Sequence, residues 1–165
     1  MGPRANLWHR SQPERDAPGF EMHPTTRFLE QHCAEIGVAS AMFHHVSLGT
    51  NDLEQSAAFY GPVLATIGYD QIKRTDRIVA YGVNEVTFSL ELPIDRRAAT
   101  VGNGSHVAFL AGDRSMVDEF HRTALMHGGT DEGAPGLRDY DPHYYAAFVR
   151  DPDGNKIEVV TFAGK

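Results

Sequence analysis

Cysteine is almost missing from this 165-residue chain, and Cys33 alone can form neither an internal disulfide nor a multi-cysteine zinc site. No apolar run approaches the roughly 18 residues of a membrane span. The polar stretch from Met1 to Gly19 also lacks the hydrophobic segment of a secretory signal, so a cytoplasmic protein is the expectation. Positive charge is in deficit: 15 Lys and Arg against 22 Asp and Glu leave a net charge of −7. That balance argues against nucleic acid, which needs a basic footprint, and against anionic membrane surfaces. What remains is ordinary. With 41% hydrophobic and 22% charged residues, the chain suits one compact domain or two small modules sharing a core.

Residues 1–41 read as an N-terminal extension. Pro3, Pro13 and Pro18 punctuate a tail without hydrophobic period. A short helix is predicted next, opening at Pro24 to Thr26, with Leu29, Cys33 and Ile36 on one face and Gly37 as its stop. Met42 offers an alternative start.

From Met42 the patterning sharpens. Phe43–Leu48 reads as a strand with Val46 and Leu48 on one face and His45 and Ser47 on the other; His44 then faces away from His45. Asn51-Asp52 offers a helix cap, followed by Leu53, Ala57, Tyr60 and Leu64 at helical spacing, and Pro62 predicts a kink or split. Ile78–Tyr81 and Val86–Leu92 read as strands, with Asn84 in the turn between them.

The second half repeats the first. His45 and His106, Asp52 and Asp113, Phe59 and Phe120, and Gly68 and Gly129 are each 61 residues apart. Ser115 and Asp118 form a potential capping box for a helix with Val117, Phe120, Ala124 and Leu125 on its apolar face, ended by Gly128-Gly129. His121, His127 and His143 read as solvated, and the stretch Gly133–Gly136 as a glycine-rich loop carrying Arg138 just beyond it. Strands Tyr144–Arg150 and Lys156–Thr161 flank the turn Asp151-Pro152-Asp153-Gly154-Asn155. Symmetry about Asp153 sets Phe148 opposite Glu158, and alternation puts Tyr144 on the Phe148 face with Tyr145 on the other.

The segments His45–Leu53 with Ala58-Phe59-Tyr60, then His106–Phe109, then Phe148–Glu158 carry a resemblance to the vicinal oxygen chelate superfamily: glyoxalases, bleomycin resistance proteins and extradiol dioxygenases. It covers residues 42–163, and the last segment is the most specific. The resemblance implies an α+β fold of two tandem βαβββ modules, residues 42–97 and 104–163, whose sheets curl into a mixed β-sheet cup with helices outside. It places metal ligands on the first and last strand of each module, which here are His45, Ser89, His106 and Glu158. Three of these can bind a divalent ion (zinc, manganese, iron or nickel). Alternation independently turns His45, His106 and Glu158 away from the apolar face of their strands.

Two positions depart from the named activities. Ser89 stands where glyoxalase I carries Glu or Gln, and serine cannot shuttle a proton at neutral pH. Glu91 shares its face about 7 Å further along, at the rim. Phe148 stands where dioxygenases and thiol transferases of the superfamily carry tyrosine. Tyr144 is therefore the expected substrate contact, and Arg138 a binder of a carboxylate or a thiol-conjugate anion. The expectation is a metal-dependent glyoxalase-like lyase or isomerase acting on a small oxygen-bearing molecule. Ser89, Glu91, Arg138, Tyr144 and Phe148 line its pocket, and no residue is assigned a catalytic step. The alternatives are a metal-free sequestering protein of the bleomycin-resistance type and a His-His-Glu dioxygenase or thiol transferase. A homodimer is expected, with His45 of one chain meeting His106 and Glu158 of the other.

Overall fold

A computed structural model describes residues 43–164; the predicted helix near Leu29–Ile36 lies outside them. The described residues form eight strands and two helices: β1 (Val46–Gly49), α1 (Leu53–Ala65), β2 (Asp70–Arg74), β3 (Ile78–Gly82), β4 (Phe88–Glu91), β5 (Val107–Leu110), α2 (Arg114–Met126), β6 (Thr130–Leu137), β7 (Tyr145–Arg150) and β8 (Lys156–Thr161). The order is βαβββ twice. Each module has one mixed four-stranded sheet, ordered β1-β4-β3-β2 and β5-β8-β7-β6, with the first and last strands parallel and the rest antiparallel. The fold is α+β. Within the chain the eight strands make two sheets, not one closed cup.

The 61-residue repeat holds through both helices, which share length and phase. Asp52 caps α1 by accepting from the Gln55 amide at 3.0 Å, and Asp113 caps α2 by accepting from the Met116 amide at 2.9 Å. The second cap is thus Asp113, not Ser115; the Ser115 hydroxyl instead donates to Asp113. Two aspartates at equivalent places compete better for the free amides than a serine already inside the helix. Helix α1 runs through Pro62 without splitting. The carbonyl that Pro62 leaves without a donor belongs to Ala58, which is exposed, so water can satisfy it.

Two strands escape the hydrophobic pattern. β2 is exposed along its whole length, and β6 occupies the stretch expected to be a glycine-rich loop. Both are edge strands, and the ladder of β6 onto β7 is broken by register shifts at Asp131/Gly133 and Gly133/Gly136. A neighbour's backbone can hold such an edge without apolar alternation.

One core serves both modules. Phe59, Tyr60, Val63 and Leu64 of α1 and Val117, Phe120 and Ala124 of α2 bury against Val79, Tyr81, Phe88, Leu90, Phe109, Val149, Ile157 and Val159. The junction is aromatic: Phe88 of the first sheet meets Phe109 of the second edge-on at 5.1 Å, and Tyr60 lies 5.1 Å from Phe88. The turn after β7 adds a polar clamp. Asp151 accepts from the Tyr60 hydroxyl at 2.8 Å and from the Asn155 amide at 2.7 Å. Asp153 accepts from the Asn51 backbone and side chain at 2.9 and 3.0 Å and from the Ser56 hydroxyl at 3.0 Å. The motif that looks like a hairpin turn in sequence therefore also ties the second module to the first.

Candidate functional site

Strand alternation reserves one face of each sheet for the shared core and leaves the other for polar side chains. In the second sheet the register aligns Ala108, Glu158 and Phe148 across β5, β8 and β7, as the symmetry of the turn about Asp153 predicts. Glu158 is 2% exposed, and both its oxygens have partners. Oε1 accepts from the Tyr144 hydroxyl at 2.6 Å, and Oε2 lies 3.1 Å from His106 Nε2. Burial, and then the bond to Glu158, pushes the Tyr144 phenol up to about 12, so it stays a proton donor at neutral pH. Tyr140 and Phe162 pack edge-on against Tyr144, each with centroids 5.2 Å away. Tyr145 points the other way and donates to Asp118 of α2.

These groups open into a cavity of about 860 Å³, whose walls also carry Glu132, Arg138, Phe148, Arg150 and Lys156. Sequence reasoning left Lys156 and Gly133 out of the site. The signal for Lys156 was the two-residue step to Glu158, which puts both on one face of β8.

His45 belongs to the first module. It shares a shallower pocket of about 260 Å³ with His44, Lys73, Ser89 and Glu91. Ser89 donates to Glu91 at 2.9 Å and lies 3.2 Å from the Ser47 hydroxyl. His44 does not face away from His45: the two Nδ1 atoms are 2.9 Å apart. β1 begins only at Val46, so strand alternation does not govern the two histidines. His121 is not solvated either. It is buried on α2 with Nε2 2.9 Å from Asp131, whose carboxyl is held below the usual range by that hydrogen bond and by the Gly133 amide.

Of the three expected metal ligands, then, the chain brings His106 and Glu158 together and leaves His45 with the first sheet. Among the described residues no three His, Cys, Asp or Glu side chains cluster as a metal site. The pair does fit half of one. Two ligands at right angles around a metal about 2.1 Å from each are about 3.0 Å apart, close to the observed 3.1 Å between His106 Nε2 and Glu158 Oε2.

The family model described as the Glyoxalase/Bleomycin resistance protein/Dioxygenase superfamily matches residues 42–159. A glyoxalase/bleomycin resistance protein from Albidiferax ferrireducens T118 is 40% identical, with a TM-score of 0.67 over 73% of this chain and 98% of its own. A glyoxalase-related enzyme from Fulvimarina pelagi is 24% identical, with a TM-score of 0.58 over 74% of this chain and 88% of its own. Lactoylglutathione lyase from Agrobacterium tumefaciens is also 24% identical, with a TM-score of 0.54 over 74% of this chain and 93% of its own. These last two share the fold. A search of curated proteins found no match. On its two βαβββ modules, the matched model and a 40% identical relative, the chain belongs to the glyoxalase/bleomycin resistance protein/dioxygenase superfamily.

Proposed function

We propose that the protein is a divalent-metal-dependent, glyoxalase-like enzyme acting on a small oxygen-bearing molecule in the cavity of the second module. The observation that carries this reading is the buried Glu158, with one oxygen bound by Tyr144 and the other 3.1 Å from His106. His106 and Glu158 hold the metal, and His45 of the partner subunit completes the ligand set. When bound, the metal supplies Lewis-acid polarisation of neighbouring substrate oxygens. Tyr144 fixes the rotamer of Glu158 and leaves Oε2 free to face the ion. Ser89 and Glu91 of the partner subunit form the opposite wall, and residues 42–163 act as the functional unit.

Assembly from two copies is supported by the sheets. β1 and β5 each lie at an edge of their sheet, and Val46 and Leu110 stand exposed on them, Leu110 at 68%. Unpaired edges with apolar side chains favour a partner. One experiment tests metal and assembly together: metal content by mass spectrometry on tag-free protein, first for the parent, then for His45→Ala, His106→Ala and a refolded mixture of the two. A composite site predicts metal in the parent, none in either variant, and recovery of about a quarter of the sites in the mixture. No recovery removes the composite site; no metal in a reconstituted parent removes the metal reading.

A second reading has its own support. Glu158 already has partners within the protein, Oε1 bound by Tyr144 and Oε2 3.1 Å from His106, which suits a metal-free pocket that sequesters an aromatic ligand between Tyr140, Tyr144 and Phe148. Ligand binding indifferent to chelator is its signature.

A further inference from the structure

We propose that the cavity of the second module recognises its ligand by a carboxylate, held by Arg138 and Lys156 against the Phe148 ring. This builds on the reading above only in placing the ligand in the Glu158 cavity. Arg138 Cζ lies 5.2 Å and Lys156 Nζ 4.9 Å from the Phe148 centroid, so both cations pack on the same aromatic ring and both line the same cavity. Arg138 is anchored without being neutralised. Its Nη2 donates to the Ala134 and Ala146 carbonyls at 2.6 and 2.9 Å, and no carboxylate among the described residues comes within ion-pair distance of it. Nη1 makes no hydrogen bond to a described residue and remains for a ligand. Gly133 gives the ring room: a Cβ there would press on Phe148 Cδ2 at 3.1 Å, while its 3.5 Å approach to Arg138 Nη2 would be an ordinary contact.

The carboxylates of the cavity are already engaged. Glu132 binds Arg150 at 2.7 Å and reaches Lys156 only at 3.8 Å, while Glu158 is shared by Tyr144 and His106. Three cations therefore face two carboxylates in this one cavity of a chain whose net charge is −7. A planar carboxylate matches a guanidinium with unspent donors, and binding it at Arg138 breaks no ion pair, while at Lys156 it competes only with the long 3.8 Å contact to Glu132.

The test compares benzoate with its neutral isostere benzamide, titrated into the full chain by ligand-observed NMR in the presence of EDTA. The expected result is binding of benzoate about tenfold tighter than benzamide. Arg138→Gln abolishes that preference, Arg138→Lys keeps part of it, and Lys156→Gln reduces it about threefold. His106→Ala leaves the preference in place while lowering metal content, which separates this inference from the metal reading. Equal binding of the two probes, absence of binding by both, or a preference that survives Arg138→Gln overturns the proposal. So does a preference that vanishes in His106→Ala, which would assign the carboxylate to the histidine end of the cavity.

Discussion

Ser89 and Glu158 occupy the same place in the two modules. Ser89 is the register partner of Ser47 on β1, and Glu158 that of Ala108 on β5; Ser47 and Ala108 are 61 residues apart, the period of the repeat. Duplication has thus left a carboxylate at one of two equivalent positions and a hydroxyl at the other. Under the composite-site reading, Ser89→Glu adds an oxygen donor to the partner's ion, and Ser89→Ala removes none. The expected outcome is about tenfold tighter binding of Mn²⁺ for Ser89→Glu and no change for Ser89→Ala, measured by calorimetry on the dimer.

Tyr144 acts on the same ion through Glu158. Tyr144→Phe removes the donor that holds Oε1 and lets the carboxylate rotate. Metal affinity is expected to fall by about 10- to 100-fold, the usual loss when a ligand's own partner is deleted. Circular dichroism of the variant should stay unchanged; unaltered affinity would sink the assignment.

The clamp between modules has a measurable energy. Tyr60 and Asp151 are buried and meet at 2.8 Å, and burial, followed by the Asp151 charge, raises the Tyr60 phenol well above its ordinary value. Tyr60→Phe leaves a buried carboxylate with Asn155 as its remaining support. A loss of about 1–3 kcal/mol is expected in urea unfolding. Loss near zero would mean that water enters to replace the hydroxyl.

Asp153 adds a pH dependence. Burial works to raise its pKa, but hydrogen bonds from Thr50, Asn51 and Ser56 outweigh it and hold the carboxyl below its ordinary value. An acid whose folded pKa is lowered stabilises the fold above its unfolded pKa of about 3.9, and that stability disappears as pH falls through the lower folded value. Parent protein should therefore lose urea resistance below about pH 4, and Asp153→Asn should lose less over the same range. Parallel curves would remove the assignment.

Gly82 ends β3 where a Cβ would come within 1.8 Å of the Glu85 carbonyl oxygen and 2.9 Å of its carbon. Since those are backbone atoms, the turn into β4 must move. Gly82→Ala is expected to cost about 1–3 kcal/mol in thermal or urea unfolding, whereas Gly61→Ala, with open space around it, should cost little.

Much of this was already legible in the residues. A period of two places Glu158, Phe148 and Lys156 on one face, turn symmetry about Asp153 sets their register, and the 61-residue offset announces two modules with matching helix caps. Those features depend on neighbours in sequence or on one hairpin, so local physics determines them. Other features depended on packing. β2 and β6 are strands because an adjacent strand holds their backbones, despite little apolar alternation of their own. His121 is buried because α2 turns it toward Asp131, and His44 sits beside His45 because the strand starts at Val46, three residues later than the pattern predicts. Asp151 and Asp153 clamp the modules only because the shared aromatic core brings α1 to the β7–β8 turn. The separation of His45 from His106 and Glu158 is likewise tertiary: alternation fixes the face a side chain occupies, whereas the packing of one sheet against another decides which faces meet.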